Sequence, residues 1–375
     1  MRTKFILLCA ATAALAACAK TEVTPEVLNQ DAEISFLTAP VTKGNTIAFS
    51  EDNVFQSSAF YHSGNFSYGT TADEYISKAT VSCTDKTNHV WKANATYYWP
   101  KDGNYLTFFS WSLNTNSLTF AAGTPAVDIT AANGVSITGY SSLKNDDFMV
   151  AKIAADQTQN TTPGSYKKVS NVSAGVPTLF NHKTSQVVIK VKTKADYENM
   201  APCYQKFTLN SVEFVDLSTS GNYNQKDEAW TNFGPAKVAG SPVANKYYSN
   251  NTNGQVVTTT ATEVEHKIDG TNDGVYLYVP QNFTNNDGKK IKVTYTVTKV
   301  GGNVQNTTGH TYTAEIDMFK VMGGDTANST AANPFAIGKK HVITLIFGLD
   351  EILWDPAVED WDAGYNGEGE VKDVA

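Results

Sequence analysis

The sequence predicts an all-β protein of two tandem β-sandwich domains behind a lipoprotein signal peptide. Three observations carry that expectation. A basic and then apolar leader ends at Leu15-Ala16-Ala17-Cys18. Period-two alternation of apolar residues recurs through the rest of the chain, and helical periodicity is hard to find. Turns rich in Gly, Asn and Asp punctuate the alternating runs, as they do in sandwiches.

The leader comes first. Arg2 and Lys4 form a short basic start, and Phe5 to Ala17 is small and apolar with no acidic residue. That order is the mark of a secretory signal. A cysteine at the cut narrows it to a bacterial lipoprotein signal, in which the Cys18 thiol takes the lipid and becomes the first mature residue. The run is shorter than the roughly 20 apolar residues of a membrane span. Expected organisation is a signal peptide over 1–17, a polar tether over 18–32, and sandwich domains over 33–170 and 171–375. The stretch from Gln159 to Gly175, rich in Asn, Thr, Gly and Pro, supplies the boundary. The chain is too long for one ordinary core.

Strands follow in order. Glu33-Ile34-Ser35-Phe36 is a short alternating run and the expected start of structure. Tyr105 to Trp111 places Tyr105, Phe109 and Trp111 on one face. Val187, Ile189 and Val191 alternate inward, as do Ile291, Val293, Tyr295 and Val297. His341 to Phe347 is apolar on both faces and so reads as a central strand. Asn286-Asp287-Gly288 between two runs predicts a hairpin turn, and Gly301-Gly302-Asn303 predicts the next. Long loops are expected at Thr219 to Asn253 and at Asn303 to Asn333, and Asp196 to Met200 reads as at most one helical turn.

Composition excludes several functions. The formal charge is −8 for the chain. Without Arg2 and Lys4, 27 of the 29 basic groups face 37 acidic ones, a charge of −10. Such a surface repels phosphate backbones, so no nucleic-acid partner is expected. Arg2 is the only arginine, so the mature protein lacks the planar fork suited to phosphate clamps. An oxidising compartment permits a bridge between Cys83 and Cys203, although they fall in different expected domains.

Nor does the sequence assemble a catalytic centre. The six histidines are scattered without metal-pair spacing. No nucleophile elbow or phosphate-cradling glycine loop is present, and Asp269 to Gly274 lacks the ligand alternation of a calcium loop. Asp355, Glu359, Asp360 and Asp362 around Trp354 and Trp361 read as a solvated strand end rather than the paired acids of a glycosidase. Tyr97-Tyr98-Trp99-Pro100 is either sheet packing or an aromatic platform for sugar. No enzyme, cofactor or metal site is expected.

Several segments in fixed order resemble the fimbrillin-like family of Bacteroidetes, the subunits of type V pili. They are the lipobox at Cys18, Ile34-Ser35-Phe36 followed by Thr42-Lys43-Gly44, Tyr98-Trp99-Pro100, and Leu106 to Trp111. Asp146 to Ala151, Leu179-Phe180-Asn181-His182-Lys183, Tyr278-Val279-Pro280-Gln281 and Val358-Glu359-Asp360-Trp361 complete the set. The resemblance implies transthyretin-like domains, export to the outer membrane through lipid, and a place in a surface fimbrium. It also implies strand exchange with other pilus subunits after a protease removes the first strand, and a receptor on a host or bacterial surface. Ile34 and Phe36 would then be the groove-filling side chains of the removable strand. Shaft subunits of the best-known type are cut after arginine, and here Lys43 stands where the cut is expected. Asp362 to Ala375 makes a poor donor strand, so donation would come from Ile352 to Trp361, and otherwise the chain is a tip or accessory subunit. Asp325-Thr326-Ala327 resembles an O-glycosylation sequon of these bacteria, with Thr326 as acceptor. The rival function is a surface glycan-binding lipoprotein for polysaccharide uptake, which would need exposed coplanar aromatic rings.

Overall fold

The computed structural model describes residues 32–38, 49–158, 175–201, 204–234, 246–268, 272–300, 308–349 and 351–360. The strands of the first half are β1 (Phe36–Leu37), β2 (Val54–His62), β3 (Asp73–Asp85), β4 (Val90–Ala93), β5 (Tyr105–Ser112), β6 (Ala126–Thr130), β7 (Gly134–Ser141), β8 (Met149–Ala151) and β9 (Ala154–Gln157). There follow β10 (Val176–Pro177), β11 (Phe180–His182), β12 (Ser185–Thr193), β13 (Gln205–Val215), β14 (Ser220–Asn224), β15 (Ala229–Gly234) and β16 (Lys246–Val257). The rest are β17 (Thr262–Glu263), β18 (Leu277–Tyr278), β19 (Lys290–Lys299), β20 (His310–Asp317), β21 (Lys339–Phe347) and β22 (Ile352–Asp360). One short helix, α1 (Met318–Val321), is capped by the Asp317 carboxylate, which accepts from the Phe319 amide. The all-β class is as expected.

Four sheets result. A nine-stranded sheet runs β10-β1-β4-β3-β2-β5-β8-β11, with β9 also on β5. It coils around its own core, because Val176 at one end and Ala154 near the other join the same cluster as Phe36, Phe55, Trp91 and Phe108. Its other face packs on the four-stranded sheet β15-β14-β7-β6. Phe109 and Trp111 from β5 meet Ile137 and Tyr140 from β7 there. The expected common face of Phe109 and Trp111 is therefore real, and the alternate residues Leu106 and Phe108 enter the first core. Both faces of β5 are buried.

The second pair of sheets, β17-β12-β21-β22 with β18 on β12, and β16-β13-β19-β20, encloses a third core. Val187, Ile189 and Val191 are fully buried, and β21 lies between β12 and β22 as its two apolar faces require.

Three expectations need correction. Asn286-Asp287-Gly288 is a turn, with the Asp287 carboxylate accepting from the Thr284 amide at 3.0 Å, but not a hairpin. The flanking strands β18 and β19 pair with β12 and β13 in different sheets. The Asp-Gly signal specifies local φ, and cross-strand burial decides the partner. The loop expected at Thr219 to Asn253 contains β14, β15 and part of β16, and that at Asn303 to Asn333 contains β20 and α1. Ser220-Gly221-Asn222-Tyr223-Asn224 escaped notice because Tyr223 is its one large buried apolar side chain. Asp196 to Met200 forms a turn, within the limit of one helical turn that the sequence set.

Residues 171–375 also contribute four strands to the first sheet pair. β10 and β11 join the nine-stranded sheet, and the β14–β15 hairpin pairs with β7. Trp230 and Tyr223 from that hairpin are buried in the first half's core.

The third core is bordered by a titratable group on β21. His341 is buried, and its Nε2 accepts from the Ala336 amide at 3.0 Å. Burial pushes its pKa down to about 4. The unfolded chain, with an ordinary histidine, takes the proton first. Stability is thus complete above about pH 6.5 and is lost as pH falls toward the folded value, by about 3 kcal/mol in all. Burial lowers His62 as well, in the same sense. Urea titrations at pH 7 and pH 4.5 should show the loss, and His341→Gln should reduce it. An unchanged pH dependence in that variant would exclude His341 as its source.

Candidate functional site

The N-terminal strand is the feature on which the expected function turns. Ile34, Phe36 and Thr38 alternate inward and are all buried. The Phe36 ring meets Phe55 edge-on at 5.5 Å and Phe108 at 5.8 Å between centroids. Full burial of an isoleucine or phenylalanine contributes roughly 1.5–3 kcal/mol.

Its backbone is bonded on both sides. The Ile34 amide donates to the Tyr97 carbonyl at 2.8 Å, and the Trp99 amide donates to Ala32 at 3.0 Å. On the opposite side the Val176 amide donates to Ser35 and the Thr178 amide to Leu37, each at 2.8 Å. β1 is thus antiparallel to β4 and parallel to β10, an inner strand of its sheet. β10 carries Pro177, tolerated because β10 ends the sheet. Gly175 makes the parallel contact close. Its φ is +82°, and a Cβ there would lie 2.8 Å from the Phe36 carbonyl carbon. Gly175→Ala should therefore loosen β1 while leaving its side chains intact. Faster amide hydrogen exchange at Val176 and Thr178 would register that; unchanged protection would rule out the steric argument.

Phe49 is buried and stacks on Phe180 at 4.6 Å. Lys43 lies between Thr38 and Phe49, outside the described residues, as do Cys18, Cys203, Trp361 and Asp362. Cys83 is half-buried, and burial raises its thiol pKa.

The other residues singled out by sequence fall apart in space. Thr326 is exposed in a turn closed between Asp325 and Thr330. The Asp325 carboxylate accepts from the Asn328 side chain at 2.7 Å and the Ala327 amide at 2.8 Å, which hold its pKa low. Trp99 is buried in the first core, whereas Tyr98 is exposed, so residues 97–99 do not form one aromatic shelf. Asp355 and Glu359 are exposed on β22, and Glu359 pairs with Lys340 at 3.3 Å. His182 is buried against Asp147 at 2.8 Å, within packing rather than a cleft. Among the described residues no group of His, Cys, Asp or Glu is placed to hold a metal ion. No helix there is long and apolar enough to cross a membrane.

β22 bears on donation. All nine of its residues pair with β21, at the edge of its sheet. Ile352 and Trp354 pack partly on the third core, and Val358 is 52% exposed.

Sequence reasoning picked out Ile34 and Phe36. It missed their partners Gly175, Val176 and Thr178, which are remote in sequence and share no local pattern.

A sequence profile of the family described as Fimbrillin-like matches residues 42–361. Among solved structures, the chain is similar to a fimbrial protein from Bacteroides vulgatus. The identity is 16% and the TM-score 0.60, over 88% of this chain and 99% of that one. It is also similar to the C-terminally truncated tip fimbrial protein Mfa3 from Porphyromonas gingivalis, at 10% identity and TM-score 0.34, over 88% and 100%. The fimbrial anchor protein Mfa2 from the same organism matches at 11% and 0.29, over 88% and 98%. The shared fold rests on the first of these. No curated protein matches.

Proposed function

This chain belongs to the fimbrillin-like family, and on that premise we propose that it is a non-enzymatic pilus subunit or adhesin, exported as a lipoprotein and assembled at the cell surface by strand exchange. The observation that carries this reading is the placement of β1. An inner strand with three buried side chains on one face, Ile34, Phe36 and Thr38, and hydrogen bonds on both edges is what a removable plug requires. Its removal would leave the Trp99, Val176 and Thr178 amides and the Tyr97 carbonyl without partners, beside an apolar slot lined by Phe55, Phe108 and Trp91. A strand from a neighbouring subunit restores both the ladder and the packing.

In this reading Cys18 carries the lipid, Lys43 is the processing site and Thr326 is a glycan acceptor. β22, held in its own ladder, suits a subunit that accepts a strand without donating one. Mass spectrometry of protein from the native surface tests the processing. A mature start near Gly44 supports it, and a population beginning only at acylated Cys18 refutes it. Cys18→Ser should abolish labelling by a fatty-acid analogue and strand the precursor at the inner membrane. Equal labelling of the variant would remove Cys18 from the account.

A further inference from the structure

A groove lies on the surface of the first sheet pair. Tyr61, Tyr75 and Pro100 line it together with Asp73, Glu74 and Asp102, around a volume of about 470 Å³. Glu74 also lines a second depression of about 710 Å³, whose wall carries Thr71, Ser77 and Thr130. The two form a surface that is aromatic at one end and hydroxyl-rich at the other.

The aromatic end is held in place. The Tyr75 side chain is 40% exposed, yet its hydroxyl donates to the Tyr98 carbonyl at 2.7 Å. Its ring lies 6.4 Å from that of Tyr61 at an interplanar angle of 26°. The Tyr61 hydroxyl donates to the Asp102 carboxylate, which also accepts from the Asn104 amide at 3.1 Å. An exposed ring fixed by a remote hydrogen bond loses little entropy when a ligand covers it. The Asp73 and Glu74 carboxylates are different: both are exposed, and neither has a hydrogen-bond or salt-bridge partner among the described residues.

From this geometry we propose that the groove binds a neutral oligosaccharide. Fixed tyrosine faces cover the apolar face of a sugar ring, and unpaired carboxylates accept hydrogen bonds from its hydroxyls. Across the two depressions the lining carboxylates of Asp73, Glu74, Asp102 and Asp128 outnumber the lining lysines, Lys78 and Lys101, and so repel sialylated or sulfated chains. A lysine-rich peptide would also answer the charge, but solvent screening leaves an ion pair with carboxylates this exposed weak. Covering the tyrosine faces is the larger contribution, and the elongated surface fits a chain of sugars better than one ammonium group. The proposal gives the adhesive half of the functional reading a ligand class. Binding is read on the monomer, so its failure and that of strand exchange are separable.

The test is a panel of neutral hexose and N-acetylhexosamine oligosaccharides, their sialylated counterparts and a lysine-rich peptide. Each is titrated against the full precursor by ligand-observed NMR and calorimetry. Saturable binding of a neutral member is expected, with Tyr75→Ala weakening it by about tenfold or more. Circular dichroism confirms that the variant is folded. If Tyr75→Ala does not fold, the Asp73→Asn, Glu74→Gln double variant decides, and it should lose several-fold in affinity. The proposal is overturned if no neutral oligosaccharide binds, if the sialylated chains or the peptide bind instead, or if the deciding variant binds as the wild type does.

Discussion

Cleavage after Lys43 is expected to turn a monomeric precursor into oligomers. The cut severs the segment between Thr38 and Phe49, both of which are buried and anchored in the first half. The plug is then held only by its own contacts. Those are substantial: Ile34 and Phe36 together contribute about 3–6 kcal/mol if burial is complete. Each backbone group they leave unpaired costs a further ~1–3 kcal/mol. Set against a total stability of about 5–15 kcal/mol, an empty slot is not a tolerable resting state. Polymerisation should therefore proceed by replacement, as a neighbour's strand displaces the plug. A synthetic peptide spanning Ala32 to Thr38, added in excess, should slow it. Lys20 precedes the strand, and cutting there leaves β1 covalently in place. A Lys43→Gln precursor must fold normally and fail to polymerise after treatment with a lysine-accepting protease. Polymerisation of that variant at the wild-type rate rejects Lys43 as the switch. A cleaved wild type that remains a stable monomer, with the plug lost, rejects the slot mechanism.

Trp230→Ala should lower the stability of the whole chain by about 3–5 kcal/mol. Trp230 lies in β15, far along the sequence, yet its ring packs on Tyr140 at 5.2 Å and on Tyr223 at 5.6 Å. Its indole donates to the Lys183 carbonyl at 2.6 Å, just after β11. Truncation leaves a cavity against β7 and an unpaired buried carbonyl at the crossing between the sheet pairs. Val279, between β18 and β19, joins the same cluster. Asn145 reaches across as well, donating to the Gly274 carbonyl at 2.7 Å and accepting from the Tyr276 amide at 2.9 Å. With so many contacts crossing, the halves should unfold in one transition, and the variant should shift that midpoint without splitting it. Urea unfolding followed by fluorescence and by far-UV circular dichroism is the check. A loss below about 1 kcal/mol would show that the hairpin is peripheral. Two separated transitions in the wild type would show that the halves are independent.

The sequence alone determined the β class, because alternation has a period of two whatever the partner. It marked β12, β19 and β21 as strands and gave β21 its central place, since a strand apolar on both faces must be covered twice. It also identified Ile34 and Phe36 as inward residues of a short first strand. Which strands meet was a matter for the tertiary structure. β14 displays one large buried side chain in five residues, too little for a pattern, and only its pairing with β7 makes it a strand. The Asn286-Asp287-Gly288 turn bends the chain but cannot say whether it returns to the same sheet. The groove at Tyr61 and Tyr75 was likewise invisible, because its residues come from β2, β3 and the approach to β5. A local run such as Tyr97 to Pro100 could suggest aromatic exposure, but packing sends Trp99 inward and leaves Tyr75 outside. Alternation is a property of one strand's backbone geometry. Partner choice depends on side-chain volumes and backbone hydrogen bonds between residues far apart in the chain, and only the folded structure brings those together.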